Sequence, residues 1–181
     1  MSDVPRLLYV IGLGANLGDR LAMLRSAVVA LGAHGRVTRV SSVYLTAAVG
    51  PPQPDYLNAA VLLQCGLSPR ALLAELLEIE RRHGRERRER WGPRTLDLDL
   101  LLSPGLSVEE PGLTVPHPEL SRRAFALVPL LEVLPDARDE HSGAAYADVL
   151  RVLGRTSVRR FVASETWDPR VGALPAPGRT E

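Results

Sequence analysis

The stretch RWGPRTLDLDLLL, residues 90–102, decides how the rest of the chain is read. Leu96, Leu98, Leu100, Leu101 and Leu102 belong in a core, yet Asp97 and Asp99 interrupt them at a spacing of two. Along an extended strand, residues two apart face the same side. As a strand, the segment sets two carboxylates side by side on one face and leucines on the other. Neighbouring anions repel, and they persist where a cation stands between them. The plainer alternative is a pair of solvent-facing acids on an ordinary strand. Hard oxygen donors on a rigid strand suit Mg²⁺, which takes one or two carboxylates and completes its shell with water and phosphate oxygens. The segment lacks the His and Cys set of a structural zinc site.

Just upstream, RRHGRERRERWGPR (81–94) sets seven arginines against Glu86 and Glu89 alone, and Gly84, Gly92 and Pro93 break it into a loop. Such a run reads as a solvated helix end, a nucleic-acid patch or an anion clamp. The nucleic-acid reading is short of aromatics, with Trp91 the single stacking platform. The adjoining carboxylate strand favours the clamp, because guanidinium groups grip phosphate oxygens bidentately beside a metal site. All 22 basic residues are arginine, and there is no lysine. That excludes a GxxxxGK[ST] phosphate loop, lysine Schiff-base chemistry and the kinase strand lysine.

Further out, RLLYVIGLG (6–14) reads as a buried strand entering a glycine turn. Leu17, Leu21, Leu24, Val28 and Leu31 then recur at helical spacing, and Gly32 closes that helix. RVTRVSSVYLTAAV (36–49) alternates and is rich in β-branched residues, which predicts one strand. The prolines of GPPQPD (50–55) impose a loop, and YLNAAVLLQC (56–65) is the next strand, antiparallel to the last. Ser68-Pro69 caps a helix that runs to Gly84. Beyond the acidic strand, helices are expected in 121–134 and 144–154. The order β-α-β-β-α-β is the split βαβ pattern, giving an α+β fold with one antiparallel or mixed sheet and helices packed on it. Residues 1–163 are expected to form a single domain, and 164–181 a loose tail.

Other motifs are weaker. GLGANLG (12–18) spaces its glycines as GxGxxxG, and the following strand lacks the acid that would hold a ribose, so a dinucleotide site is disfavoured. Tyr56 and Asn58 share a strand face. His117 lies between two prolines, which suits a positioned donor. The chain is 181 residues long, 45% hydrophobic and 24% charged, with net charge +1, so no global field draws it to nucleic acid or membrane. Cys65 is the only cysteine, which fits a reducing compartment. The N-terminus lacks the basic start and long apolar core of a secretory signal, and no apolar run approaches the roughly 20 residues that span a bilayer. A cytoplasmic protein is expected.

Together, IGLGANLGDR, QPDYLNAA, ERWGPRTLDLDLLL and LTVPHPELSRRAF, in this order, resemble the 6-hydroxymethyl-7,8-dihydropterin pyrophosphokinase family of folate biosynthesis, over roughly residues 7–135. The resemblance implies a ferredoxin-like α/β sandwich and Mg²⁺-dependent transfer of diphosphate from ATP to the pterin hydroxymethyl group, with AMP released. It implies that Asp97 and Asp99 hold two Mg²⁺ ions. It further implies that Arg85, Arg94, His117 and Arg123 grip the triphosphate, and that Arg85, Arg87 and Trp91 ride a closing loop. Tyr56 and Phe125 correspond to rings that sandwich the pterin, and Asn58 to the amide that reads its edge. Asn16, Thr46 and Glu80 correspond to residues lining the site. TAAVG (46–50) departs from the proline-bearing stretch usual in the family, which bears on pterin access more than on reaction type. ATP and the pterin are the expected partners, acting on a monomer without nucleic acid or membrane. Two rivals remain: a small RNA-binding domain, which would need aromatics on an open sheet face, and a catalytically idle interaction module.

Overall fold

The computed structural model describes residues 6–48, 52–84 and 95–171. Its centre is the pairing of β1 (Leu7–Ala15) with β4 (Tyr56–Cys65), antiparallel from Leu7↔Cys65 to Ala15↔Leu57. Between them in sequence lie α1 (Arg20–Gly32), β2 (Arg36–Val40) and β3 (Val43–Thr46). After β4 come α2 (Pro69–Arg82) and β5 (Asp97–Leu102), which pairs with β1 along its other edge. A small hairpin comes next, β6 (Val108–Glu110) and β7 (Leu113–Val115). The chain then forms α3 (Ala124–Val133), α4 (Tyr146–Leu153), β8 (Val158–Val162) and α5 (Ser164–Trp167). The main sheet runs β5-β1-β4-β3-β8, with β2 also on β4, and every pairing in it is antiparallel. This is the expected α+β, ferredoxin-like arrangement, with β8 as an added border strand.

Alternation fills both faces. Tyr9, Ile11, Leu13 and Ala15 pack with Leu24, Ala27, Val28 and Leu31 of α1 and Leu72, Leu76 and Ile79 of α2. On the opposite face, Val10, Ala60 and Leu62 pack with Leu127, Leu130 and Val133 of α3 and Tyr146 and Leu150 of α4. An irregularity at Val10/Ile11 lets Leu98 and Leu100 join the first core while Leu101 and Leu102 join the second. Helices thus lie on both faces of the sheet.

Three expectations need correction. The single strand over 36–49 is two, broken at Ser41-Ser42. Val40 lies opposite Val61 and Tyr44 opposite Asn58, four residues against three, which is a bulge. The bulge is held from a distance: Ser42 N donates to Glu132 Oε2 at 2.5 Å, and Tyr44 Oη donates to Glu132 Oε1. The Trp167 indole donates to Ser41 O at 2.8 Å. That tryptophan is fully buried, so the loose tail expected from Ser164 does not hold as far as Val171. Finally, the glycines of GLG lie inside β1, which runs on to Ala15 rather than turning at Gly12.

Candidate active site

The register of β5 answers the question its sequence poses. Asp99 lies opposite Gly12 and Asp97 opposite Gly14, while Leu98 and Leu100 are buried on the other side. Both carboxylates therefore emerge on one face, the face that α3 and α4 cover further along. The same row continues across the sheet: Gly14 lies opposite Asn58, and Asn58 opposite Tyr44. In the next row Tyr56 lies opposite Thr46. A two-carboxylate patch and a polar-aromatic patch thus flank a strand whose facing positions carry no side chain.

Gly14 makes this possible. A Cβ there would stand 3.2 Å from Asn58 Oδ1, 3.7 Å from the Tyr56 ring and 3.9 Å from the Asp97 Cβ. At Gly12 it would meet Leu101 at 3.0 Å. These two glycines border the two aspartates and Asn58, whereas motif reading assigns them to a turn. Their signal was present in the sequence as a spacing of two within an apolar strand. Asn58 is 7% exposed, and its Nδ2 donates to Thr46 Oγ1 at 2.7 Å. With its donor engaged there, Oδ1 is directed toward Gly14 as an acceptor.

His117 docks onto β5 through its backbone N–H, which donates to Leu101 O at 2.8 Å. Glu119 N donates to His117 Nδ1 at 3.1 Å, so the neutral ring carries its proton on Nε2. Burial holds the imidazole below its ordinary 6.5; the Asp99 carboxylate opposes that and Arg123 reinforces it. Arg123 is the residue immediately before α3, and its guanidinium carbon lies 5.8 Å from the Phe125 ring centroid, within cation-π range. Phe125 is half-buried against the α3 core.

Two expected lining residues serve the frame. Asn16, 1% exposed, donates from Nδ2 to Gln53 Oε1 at 2.9 Å and to Pro54 O at 3.0 Å, tying the end of β1 to the segment that enters β4. Glu80, also 1% exposed, continues the Leu72-Leu76-Ile79 stripe of α2 and stands behind β5. Its Oε1 accepts from Leu98 N at 2.7 Å, between the two aspartates. Arg85, Arg87, Trp91 and Arg94 lie outside the described residues. Among the described residues, no group of three His, Cys, Asp or Glu side chains could hold a metal by itself. Two carboxylates on one strand face suit a cation that takes its other ligands from water and phosphate.

Comparison with known proteins identifies the same family. The profile described as 7,8-dihydro-6-hydroxymethylpterin-pyrophosphokinase (HPPK) matches residues 10–135. A 2-amino-4-hydroxy-6-hydroxymethyldihydropteridine pyrophosphokinase of Synechocystis is 47% identical over 161 residues, covering 87% of this chain and 83% of its own. The Bacillus subtilis protein of that name is 43% identical over 161 residues, covering 86% and 96%. Among solved structures, a Plasmodium falciparum HPPK-DHPS triple mutant superposes with TM-score 0.68 at 12% identity, a likeness of fold. That match covers 94% of this chain and 47% of the longer one, so the chain spans about half of that two-part protein.

Proposed function

The chain belongs to the 7,8-dihydro-6-hydroxymethylpterin-pyrophosphokinase family, and from that premise we propose that it transfers diphosphate from ATP to 6-hydroxymethyl-7,8-dihydropterin and releases AMP. One observation carries the reading. Asp97, Gly14 and Asn58 stand in a single cross-strand row, so a phosphate-facing end and a ring-facing end adjoin across a floor without side chains.

In this reading Asn58 Oδ1 accepts from the N–H edge of the pterin, and the Thr46 hydroxyl, fixed by Asn58, borders the same edge. Tyr56 and Phe125 stack on the two faces of the ring. His117 Nε2–H and Arg123 donate to phosphate oxygens, with Arg85, Arg87 and Arg94 completing the grip and Trp91 closing over it. Asp97 and Asp99 would hold two Mg²⁺ ions, which would supply charge neutralisation for the phosphates. The hydroxymethyl oxygen attacks the β-phosphorus and releases its proton to solvent water. The new O–P bond forms as the bond from the β-phosphorus to the α-bridging oxygen breaks, and that oxygen leaves with AMP. Such a transfer runs on positioning and electrostatics and needs no covalent nucleophile on the protein. Among the described residues no helix is long and apolar enough to cross a membrane.

The test mixes purified protein, ATP, Mg²⁺ and the pterin, and follows the nucleotide product. AMP in step with pterin diphosphate is the expected result. ADP would reassign the protein to single-phosphoryl transfer, and no turnover together with no nucleotide binding would favour the idle interaction module.

A further inference from the structure

Of the described residues, one buried side-chain polar atom has no hydrogen-bond partner: the hydroxyl oxygen of Thr95. Thr95 stands two residues before Asp97. Leu96, Leu98 and Leu100 are buried in the core beneath α1 and α2, while Thr95, Asp97 and Asp99 alternate with them as half-buried positions. Thr95 itself lies in a bend, two residues before the first residue of β5. Its backbone is not adrift, since the strand it leads into is pinned at Leu98 by Glu80.

A buried hydroxyl without a protein partner loses its hydration and gains no hydrogen bond within the fold in return. Valine has nearly the same shape and would fill the position without that penalty. A threonine here is therefore explained by a partner that arrives from outside the fold. The neighbouring groups restrict what that partner is: two carboxylates already provide anionic oxygen, and His117 and Arg123 present donors from across the site. We infer that Thr95 donates its hydroxyl proton to a phosphate oxygen of the nucleotide held against Asp97 and Asp99. It would add a donor from the strand side of the site. This inference rests on the function proposed above.

Calorimetric titration with an ATP analogue carrying a methylene group between the α- and β-phosphates, in Mg²⁺, tests it on wild type, Thr95→Val and Thr95→Ser, with thermal melting of each unliganded protein alongside. The expected result is a Kd raised about tenfold in Thr95→Val, with Tm equal to or above wild type, and a Kd in Thr95→Ser within about threefold of wild type. If wild type binds and Thr95→Val stays within about threefold of it, the inference is overturned. A lower Tm in unliganded Thr95→Val overturns it too, by showing that the hydroxyl has a partner in the fold. Equal losses in both variants overturn it by assigning the effect to the shape of the side chain and not to its hydroxyl. A wild type that does not bind the analogue rejects the proposed function itself, and the inference with it.

Discussion

The two faces of β1 are built on opposite plans. On one, Tyr9, Ile11, Leu13 and Ala15 meet α1 and α2, and the core is closed along the whole strand. On the other, Val10 packs beneath α3, and then the side chains stop: Gly12 and Gly14 face Asp99, Asp97 and Asn58. The site is made by withholding volume from half of one face. Each burial lost on the open face is offset by the continuous core behind it. Stability and chemistry should therefore respond to different substitutions.

Removing a carboxylate attacks the open face where it does most. Asp97→Ala and Asp99→Ala should each lower turnover roughly 10³-fold. Circular dichroism and Tm should stay close to wild type, because neither side chain belongs to a core. Equal loss of fold and turnover would dissolve the distinction between the faces. Leu24→Ala tests the closed face. This side chain is fully buried beneath the sheet, and its truncation should cost about 3 kcal/mol in denaturant unfolding. KM for both substrates should remain unchanged in the folded fraction.

Gly14→Ala puts volume back on the open face. The new methyl would press on Asn58 Oδ1 at 3.2 Å, and KM for the pterin should rise about tenfold with little change in melting. A variant that melts early but binds normally would make Gly14 a backbone requirement instead. The smallest effect is expected in the loop between α3 and α4. There Asp139 Oδ1 accepts from the backbone N–H groups of Ser142 and His141, both at 2.9 Å. The Ser142 N–H, with smaller help from His141 and the Tyr146 hydroxyl, holds this carboxyl below its ordinary 3.8. A depressed carboxylate stabilises the fold above its ordinary value, and that contribution is lost as pH falls through the folded value. Asp139→Asn should melt slightly below wild type at pH 7, and the gap should close as the pH is taken below 3.8.

How much could be read beforehand obeys the same division. Elements whose partners are local in pattern were legible: the alternation of β5, the apolar run of β4 bounded by prolines, and the Ser68-Pro69 start of α2. The acidic pair was legible because a period of two is a local property. The bulge at Ser41-Ser42 was not, since Glu132 and Trp167, which hold it, lie 90 and 126 residues away. Nor was β8, whose VRRFV is largely exposed and takes its strand form from pairing with β3. Glu80 reads as one more surface acid on an amphipathic helix until its place on the buried stripe is noticed. Gly12 and Gly14 were visible, but glycine near a loop suggests a turn more readily than a floor.

The indole beneath Ser41 carries a practical consequence for anyone trimming this gene. The family profile ends at residue 135, short of α4, β8 and Trp167. An expression fragment cut there would strip the sheet of its border, take Tyr146 and Leu150 from beside α3, and leave a hole where the bulge is plugged. Raw strand edges and freshly bared apolar surface favour inclusion bodies. An insoluble product from that fragment would report a misplaced scissor, not a defective enzyme.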